Sequence, residues 1–360
     1  MTGLSNTSAR PLAAENTTVP TSNPVYGKEG NRTGANAKSA NPATAITGIS
    51  LTVNGILNLC EKKEKIKSTP SCDMQKELRE KYDILYLPMR YIYDGKDMEA
   101  NLDWVQLPAK DFYDVMRGGT RIRTSAVNTS AYLEKFEELL KQGYDILSIS
   151  TTSALSTSVN SAKAARDELQ PKYPDSKIIC IDSCNACGGL GILCMKASKL
   201  RAEGKTIEEA AAWVEENKKF INQEGTVERL TWLKQAGRVS AVSAFFGDLL
   251  SVKPLIISDV HGYNMAIEKV KGRKKSLIRV AERVAENYLP NDMGISVLHA
   301  DCLEDALFLK DEIASRLGLA DDQFNVNYIG PAIGASVGSG MLGVYFLGKE
   351  VTYDSLAGKN

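Results

Sequence analysis

An α/β region with a parallel sheet covered by helices, followed by an α+β region with a largely antiparallel sheet, is the fold class that three features of the sequence predict. Strand-like and helix-like segments alternate from about residue 73 to about residue 228, and such alternation favours parallel strands joined by covering helices. Beyond about residue 228, extended runs come in pairs around turns, with two long helical patterns between them, as in antiparallel or mixed sheets. The first 47 residues are rich in Ser, Thr, Asn, Ala, Gly and Pro and have few large apolar side chains to bury, which predicts a disordered tail. The expected division is a tail at 1–47, an α/β domain at 48–228 and an α+β domain at 229–360.

In chain order, DMQKELREKY predicts a helix, DILYLPMRYIY an apolar extended run and KDFYDVM a short helix. TSAYLEKFEELLKQG has apolar residues at helical spacing and ends in Gly143, a suitable helix terminator. The strand DILSIS, the helix SAKAARDELQPKY, the strand SKIICID and a long helix near GGLGILCMKASKLRAEG follow. In the second region VKPLIISDVHGYNMAIEKVKG reads as two strands around a Gly-containing turn, GISVLHA as another, and NVNYIGPAIGASVGSGMLGVYFLG as two more. Helices are expected at KKSLIRVAERVAENYL and DCLEDALFLKDEIASRLG, the latter opened by Asp301 with Glu304 three residues on, the spacing of a capping box.

Lys plus Arg and Asp plus Glu number 44 each, and the sequence pI is near 6.8. No whole-protein field therefore attracts nucleic acid or anionic lipid. The basic cluster KVKGRKKSLIR at 269–279 fits either a solvated face or a docking patch for an acidic partner or headgroup surface. No apolar core of signal-peptide length occurs in the tail, and ISLTVNGILNLC is too short and polar to span a bilayer. A soluble, cytoplasmic chain is expected. The seven cysteines, at 60, 72, 180, 184, 187, 194 and 302, form no secreted-type framework, so reduced thiols are expected. Cys184 and Cys187 make a C-x-x-C without a well-spaced second pair, which favours packing over a metal site.

Several enzyme classes find little support. No G-x-S-x-G elbow is present, and the histidines are His261, in a turn, and His299, at a strand end where a structural imidazole is expected. GGLGILC places Cys194 where a dinucleotide fingerprint needs its third glycine, and no P-loop occurs. Those glycines fit close packing of a helix on a sheet. Acidic pairs such as Glu137-Glu138, Glu215-Glu216 and Asp321-Asp322 read as solvated faces. No catalytic residue, metal or cofactor is expected from these patterns.

The segment SISTTSALSTSVNSA at 148–162 crowds hydroxyls directly after an apolar strand. Ligands of parallel sheets gather outside the carboxyl ends of strands, where the next helix offers free N–H groups. Thr152 and Ser153 follow the strand, 156–161 start the helix, and a second pair, Thr124-Ser125, lies ahead of another helix. Two roles fit: helix N-caps, or two hydroxyl pairs converging on one small anionic group.

These residues also carry a resemblance. RTSAVNTSAYLEKFEELLKQGYDILSIS is similar to the T-S-x-P-S helix and following strand of the DegV family, and TTSALSTSVNSA to its S-S-x-L-S-G-T-Y-x-S-A segment, with Leu155, Ser156, Ser161 and Ala162 in register. IICIDS, RLTWLKQAGRVS, LLSVKPLI and YIGPAIGASVGSGMLGVYF resemble further family segments. The likeness runs from about residue 65 to 348. It implies a bacterial fatty-acid-binding protein of two domains that holds an acyl chain in a tunnel and presents the carboxylate to a separate, ATP-binding fatty acid kinase subunit.

The implied carboxylate network is Thr124, Ser153 and Arg238, with Ser125 and Thr152 beside them. Ser336 stands where the family carries histidine, Ser339 where proline is common, and Pro70 where an acid is usual. The implied partners are a long-chain fatty acid and the kinase, with no nucleic acid and at most transient membrane contact. Binding of another amphipathic anion, or acyl hydrolysis by Ser153, Cys184 or Cys187, are the alternatives. Burying about fifteen methylenes at roughly 0.8 kcal/mol each contributes on the order of 12 kcal/mol before entropic costs. The polar end then needs orientation and relief from desolvation more than affinity, which hydroxyls and one guanidinium supply.

Overall fold

The computed structural model describes residues 49–53, 57–59, 72–239 and 251–357. The tail expected at 1–47, the segment containing Pro70 and the start of LLSVKPLI lie outside the described residues. The N-terminal part supplies strands β1 (Ile49–Val53), β2 (Leu57–Leu59), β3 (Ile84–Tyr86), β4 (Arg90–Tyr93), β5 (Lys96–Glu99), β6 (Arg123–Ser125), β7 (Asp145–Ser150) and β8 (Ile178–Asp182). Its helices are α1 (Lys76–Lys81), α2 (Ala109–Arg117), α3 (Thr129–Lys141), α4 (Ser158–Leu169), α5 (Cys187–Ala202) and α6 (Ile207–Asn217).

The first sheet has the order β3-β1-β2-β7-β8. β7 pairs in parallel with β8, and β1 with β3. β2 runs antiparallel to both β1 and β7, so the sheet is mixed where a parallel one is expected. Only residues 54–56 separate β1 from β2, and so short a connection allows only an antiparallel return, since a parallel crossover needs a dozen residues or more. The run read as one extended segment, DILYLPMRYIY, divides into β3 of this sheet and β4, which joins β5 and β6 in a separate antiparallel sheet, β5-β4-β6. Asp94 and Gly95 turn β4 into β5 with φ of 52° and 68°, the positive values a two-residue hairpin requires.

Local chemistry sets the helix ends. The Asn128 side chain accepts from Ala131 N at 2.9 Å and caps α3, and Gly143, at φ +84°, turns the chain away after it. α4 begins at Ser158, three residues before the expected start, and gives way after Leu169 to a single 3-10 turn. Thr206 and Glu209 form a full capping box at α6.

α5 is buried along most of its length and packs on β1 and on the later strand of residues 342–347. Its glycines permit that approach: a Cβ on Gly188 would lie 2.6 Å from the Tyr345 ring. Gly188→Ala is therefore expected to lower stability by about 1–3 kcal/mol, read as a shift of the urea midpoint, while an unchanged midpoint would show that the ring gives way freely.

The C-terminal part contributes β9 (Ile221–Thr226), α7 (Thr231–Ala236), β10 (Val252–Ser258), β11 (Asn264–Lys271), α8 (Arg273–Asn287), β12 (Ile295–His299), α9 (Leu303–Leu317), β13 (Phe324–Tyr328), α10 (Pro331–Val337) and β14 (Leu342–Leu347). Its sheet, β11-β10-β9-β14-β12-β13, is antiparallel except for β12 with β13. α9 supplies the crossover that this parallel pair needs. A core of Leu277, Val280, Val284, Leu309 and Ile313 seals α8 and α9 to the sheet.

Two expectations need correction here. The N-cap of α9 is Cys302 without a side-chain cap bond; Asp301, at φ 55°, instead pairs with Arg117 at 2.5 Å, so no capping box forms with Glu304. The glycine-rich stretch read as two strands also holds α10, opened by Pro331 at its first turn, a position where proline loses no needed N–H. Within the basic cluster, Arg273 pairs with Asp305, and Arg279 with Glu268, Glu282 and Glu286.

Candidate functional site

Strand alternation separates the first hydroxyl pair. Thr124 and Ser125 lie within β6, and Thr124, half-buried, lines an internal cavity while Ser125 is exposed. Neighbours on a strand point to opposite faces, so the two cannot converge on one group.

The loop after β7 makes a similar selection. Thr152 is buried, but its N–H bonds Asn185 O at 2.8 Å and its hydroxyl donates to His261 O at 3.3 Å and accepts from Ala154 N at 3.2 Å. Ser153 is exposed, its N–H directed to Asp182 Oδ2 at 3.1 Å. The cavity wall instead takes Thr151 and Ser156 from this loop. Ser156 Oγ lies 2.9 Å from Ser158 Oγ, and the N-cap of α4, Thr157, makes no side-chain cap bond. Ser125, Thr152 and Ser153 are thus corrected in position: none lines the cavity, because strand alternation and the loop's backbone bonds turn them elsewhere.

Arg238 reaches the site through a helix stop. Gly237 ends α7 at φ +69°, a left-handed conformation that suits glycine. Arg238 N then bonds back to Leu233 O at 3.0 Å. Its Nε donates to Leu155 O at 3.3 Å and its Nη1 to Ala236 O. Ser336, half-buried on α10, arrives from the far end of the chain, since α10 packs on both α7 and β6.

Thr124, Arg238 and Ser336 line two adjoining spaces. The inner one, about 50 Å³, is walled mainly by apolar side chains, among them Met89, Leu155, Ile256, Ile333 and Met341. The outer one, about 180 Å³, is polar and adds Arg121, Arg123 and Gln235. Three polar groups at the junction of an apolar cavity and a basic vestibule form an amphipathic seat. One water's share of liquid volume is roughly 30 Å³, so a long apolar ligand enters only if walls such as Met89 and Met341 part, a displacement that flexible methionines accommodate.

Of the other candidate groups, Cys187 shares the inner cavity's wall, whereas His299, His261 and Cys184 line neither space. His299 is buried, its Nδ1 accepts from Cys302 N at 3.3 Å, and its ring packs 4.4 Å from that of Tyr328. Burial, opposed by Asp301, pushes its pKa down to about 4. His261 is exposed and pairs with Asp354 at 3.0 Å. Cys184 is half-buried and Cys187 buried, both as free thiols. Among the described residues no three His, Cys, Asp or Glu side chains gather to hold a metal ion. No helix among them is long and apolar enough to cross a membrane.

Sequence reasoning passed over Thr151, Ser156, Gln223, Cys187 and Tyr345 as wall residues. Their facing depends on strand register and on contacts between distant segments.

A mixed α/β scaffold thus carries an apolar cavity beside a basic mouth. Residues 66–349 match the family model described as "Uncharacterised protein, DegV family", and the chain belongs to the DegV family. A DegV domain-containing protein of Clostridium perfringens is 38% identical over 288 residues, covering 80% of this chain and 98% of that one. DegV of Bacillus subtilis, solved as a fatty acid binding protein, is 25% identical with a TM-score of 0.65, over 84% of this chain and 100% of that chain. A stearic acid-binding protein of Eubacterium ventriosum has the same fold, with a TM-score of 0.69 and 23% identity over 79% of this chain and 97% of that chain.

Proposed function

We propose that this protein is a non-catalytic lipid carrier that holds a long-chain fatty acid in the cavity, with the carboxylate seated by Thr124, Arg238 and Ser336. The observation that carries the reading is the shared wall: among the described residues, these three polar side chains alone border both the apolar cavity and the basic vestibule. Hydrocarbon in the first and carboxylate at the boundary satisfies the ligand's two halves, since a carboxylate buried without donors is very costly. Fatty acid binding by the related B. subtilis protein supports the same ligand class. The seat draws on segments from both sides of residue 228, within the one compact unit that residues 45–360 form.

In this reading the carrier is cytoplasmic and presents the carboxylate to a separate fatty acid kinase, which supplies nucleotide and metal. Gentle purification, solvent extraction and mass spectrometry test the ligand: a copurifying long-chain acid is the expected result, and a different anion would replace it. Ser336, a neutral group at the family's histidine position, favours a second reading in which the ligand is bound without kinase coupling. With kinase and ATP supplied, formation of acyl phosphate by the wild-type pair would dismiss that second reading.

A further inference from the structure

Gln223 puts a hydrogen-bond acceptor on the wall of the inner cavity that a plain acyl chain leaves unused. It sits in β9, is 8% exposed and lines the apolar space together with Asn264, which opens β11. The two amides form a chain whose direction is set at its far end. Arg238 O is a backbone carbonyl and only accepts, so the Asn264 atom 3.1 Å from it is the donor Nδ2. Asn264 then presents its Oδ1 to Gln223, whose Nε2 donates at 2.9 Å. Such a network fixes which end of each amide is oxygen, and it leaves Gln223 Oε1 over. Among the described residues no group donates to that oxygen. Ser156, on the same wall, is turned to Ser158 Oγ, and the Cys187 thiol to Asp73, so neither serves it.

A buried acceptor without a donor costs free energy and calls for an explanation. A ligand that brings a hydrogen to it removes the cost. Methylenes have no polar hydrogen to give, and an ionised carboxylate only accepts. A hydroxyl donates. We propose that Gln223 selects fatty acids that carry a hydroxyl on the chain, the hydroxyl donating to Oε1 while the carboxylate rests on Thr124, Arg238 and Ser336. This rests on the fatty-acid reading of the cavity and narrows its ligand class. Held on a strand and tied through Asn264 to the backbone of Arg238, the acceptor stands at a set distance from the seat, so it serves a hydroxyl on one stretch of the chain and not elsewhere. A site built to bond a hydroxyl discriminates against the analogue that lacks it.

Titration calorimetry of the full chain with stearic acid and with its 3-hydroxy, 10-hydroxy and 12-hydroxy derivatives tests this. One positional isomer is expected to bind about three- to tenfold more tightly than stearic acid, the worth of one hydrogen bond, and the other two should not gain. The ketone with its oxygen at the favoured position, which brings no hydrogen, should fall below the alcohol. Gln223→Leu should abolish the preference and bind stearic acid at least as well as the wild type; if that variant fails to fold, the isomers and the ketone on the wild type decide. Stearic acid bound as tightly as every isomer overturns the inference and leaves the carrier reading standing. Equal gains by all three isomers, which would reflect general polarity of the cavity, or a preference retained in Gln223→Leu, overturn it equally. Failure of stearic acid and all its derivatives to bind removes both readings.

Discussion

Arg238→Ala is expected to weaken long-chain fatty acid binding by between about thirtyfold and a thousandfold, the equivalent of about 2–4 kcal/mol. Among the described residues the guanidinium is the one charged group on the wall of the inner cavity, and without it a carboxylate there keeps only neutral hydroxyl and amide donors. The loss should belong to the headgroup and not to the fold, because Arg238 is half-buried at a helix end and makes its bonds to the backbone carbonyls of Leu155 and Ala236. Titration calorimetry with a fatty acid and with the alcohol of equal chain length separates the two. The wild type should prefer the acid, and the variant should bind both alike. An unchanged acid affinity in a folded variant would remove Arg238 from the seat.

Arg283→Met should cost stability of about 3–5 kcal/mol, as expected when a buried ion pair loses one partner. Arg283 grips Glu224 through two bonds, Nε to Oε2 at 2.7 Å and Nη2 to Oε1 at 2.9 Å, and the Glu224 side chain is only 4% exposed. Burial already raises the Glu224 pKa, with Arg283 opposing it. In the variant that opposition disappears and the folded pKa rises further above the unfolded value. A carboxyl with a raised folded pKa binds its proton more tightly in the native state, so stability recovers as the pH falls. The deficit in urea unfolding should accordingly be largest near neutrality and shrink toward the ordinary carboxylate range. Adding Glu224→Leu should restore most of it. A deficit below about 1 kcal/mol at neutral pH would show a solvated pair.

The alternating first region and paired strands of the second were legible because apolar periodicity reports local burial, as at β7, whose last five residues are all buried. Some signals stood in the sequence unused. Asp94-Gly95 announces the hairpin between β4 and β5, and Thr206 with Glu209 announces the start of α6. The antiparallel insertion of β2 was less legible, since it follows from a connection three residues long rather than from any residue type. For the site, Arg238 and Ser336 emerged from family resemblance; nothing local in Q-A-G-R or G-A-S-V says that two segments so far apart border one cavity.

The strand and helix alternation of the first region, the balanced charge and the supply of hydroxyls near strand ends were determined by the sequence alone, because each depends on composition or on spacing within a few residues. The tertiary structure decided which hydroxyls border the cavity: Thr151 and Ser156 line it, whereas bonds to Asn185 and His261 hold Thr152 in the loop. It also decided that Asp73 meets Cys187. The reason is physical: the direction of a side chain in a loop, and the partner of a buried charge, are set by packing between segments distant in the chain, which local periodicity does not encode.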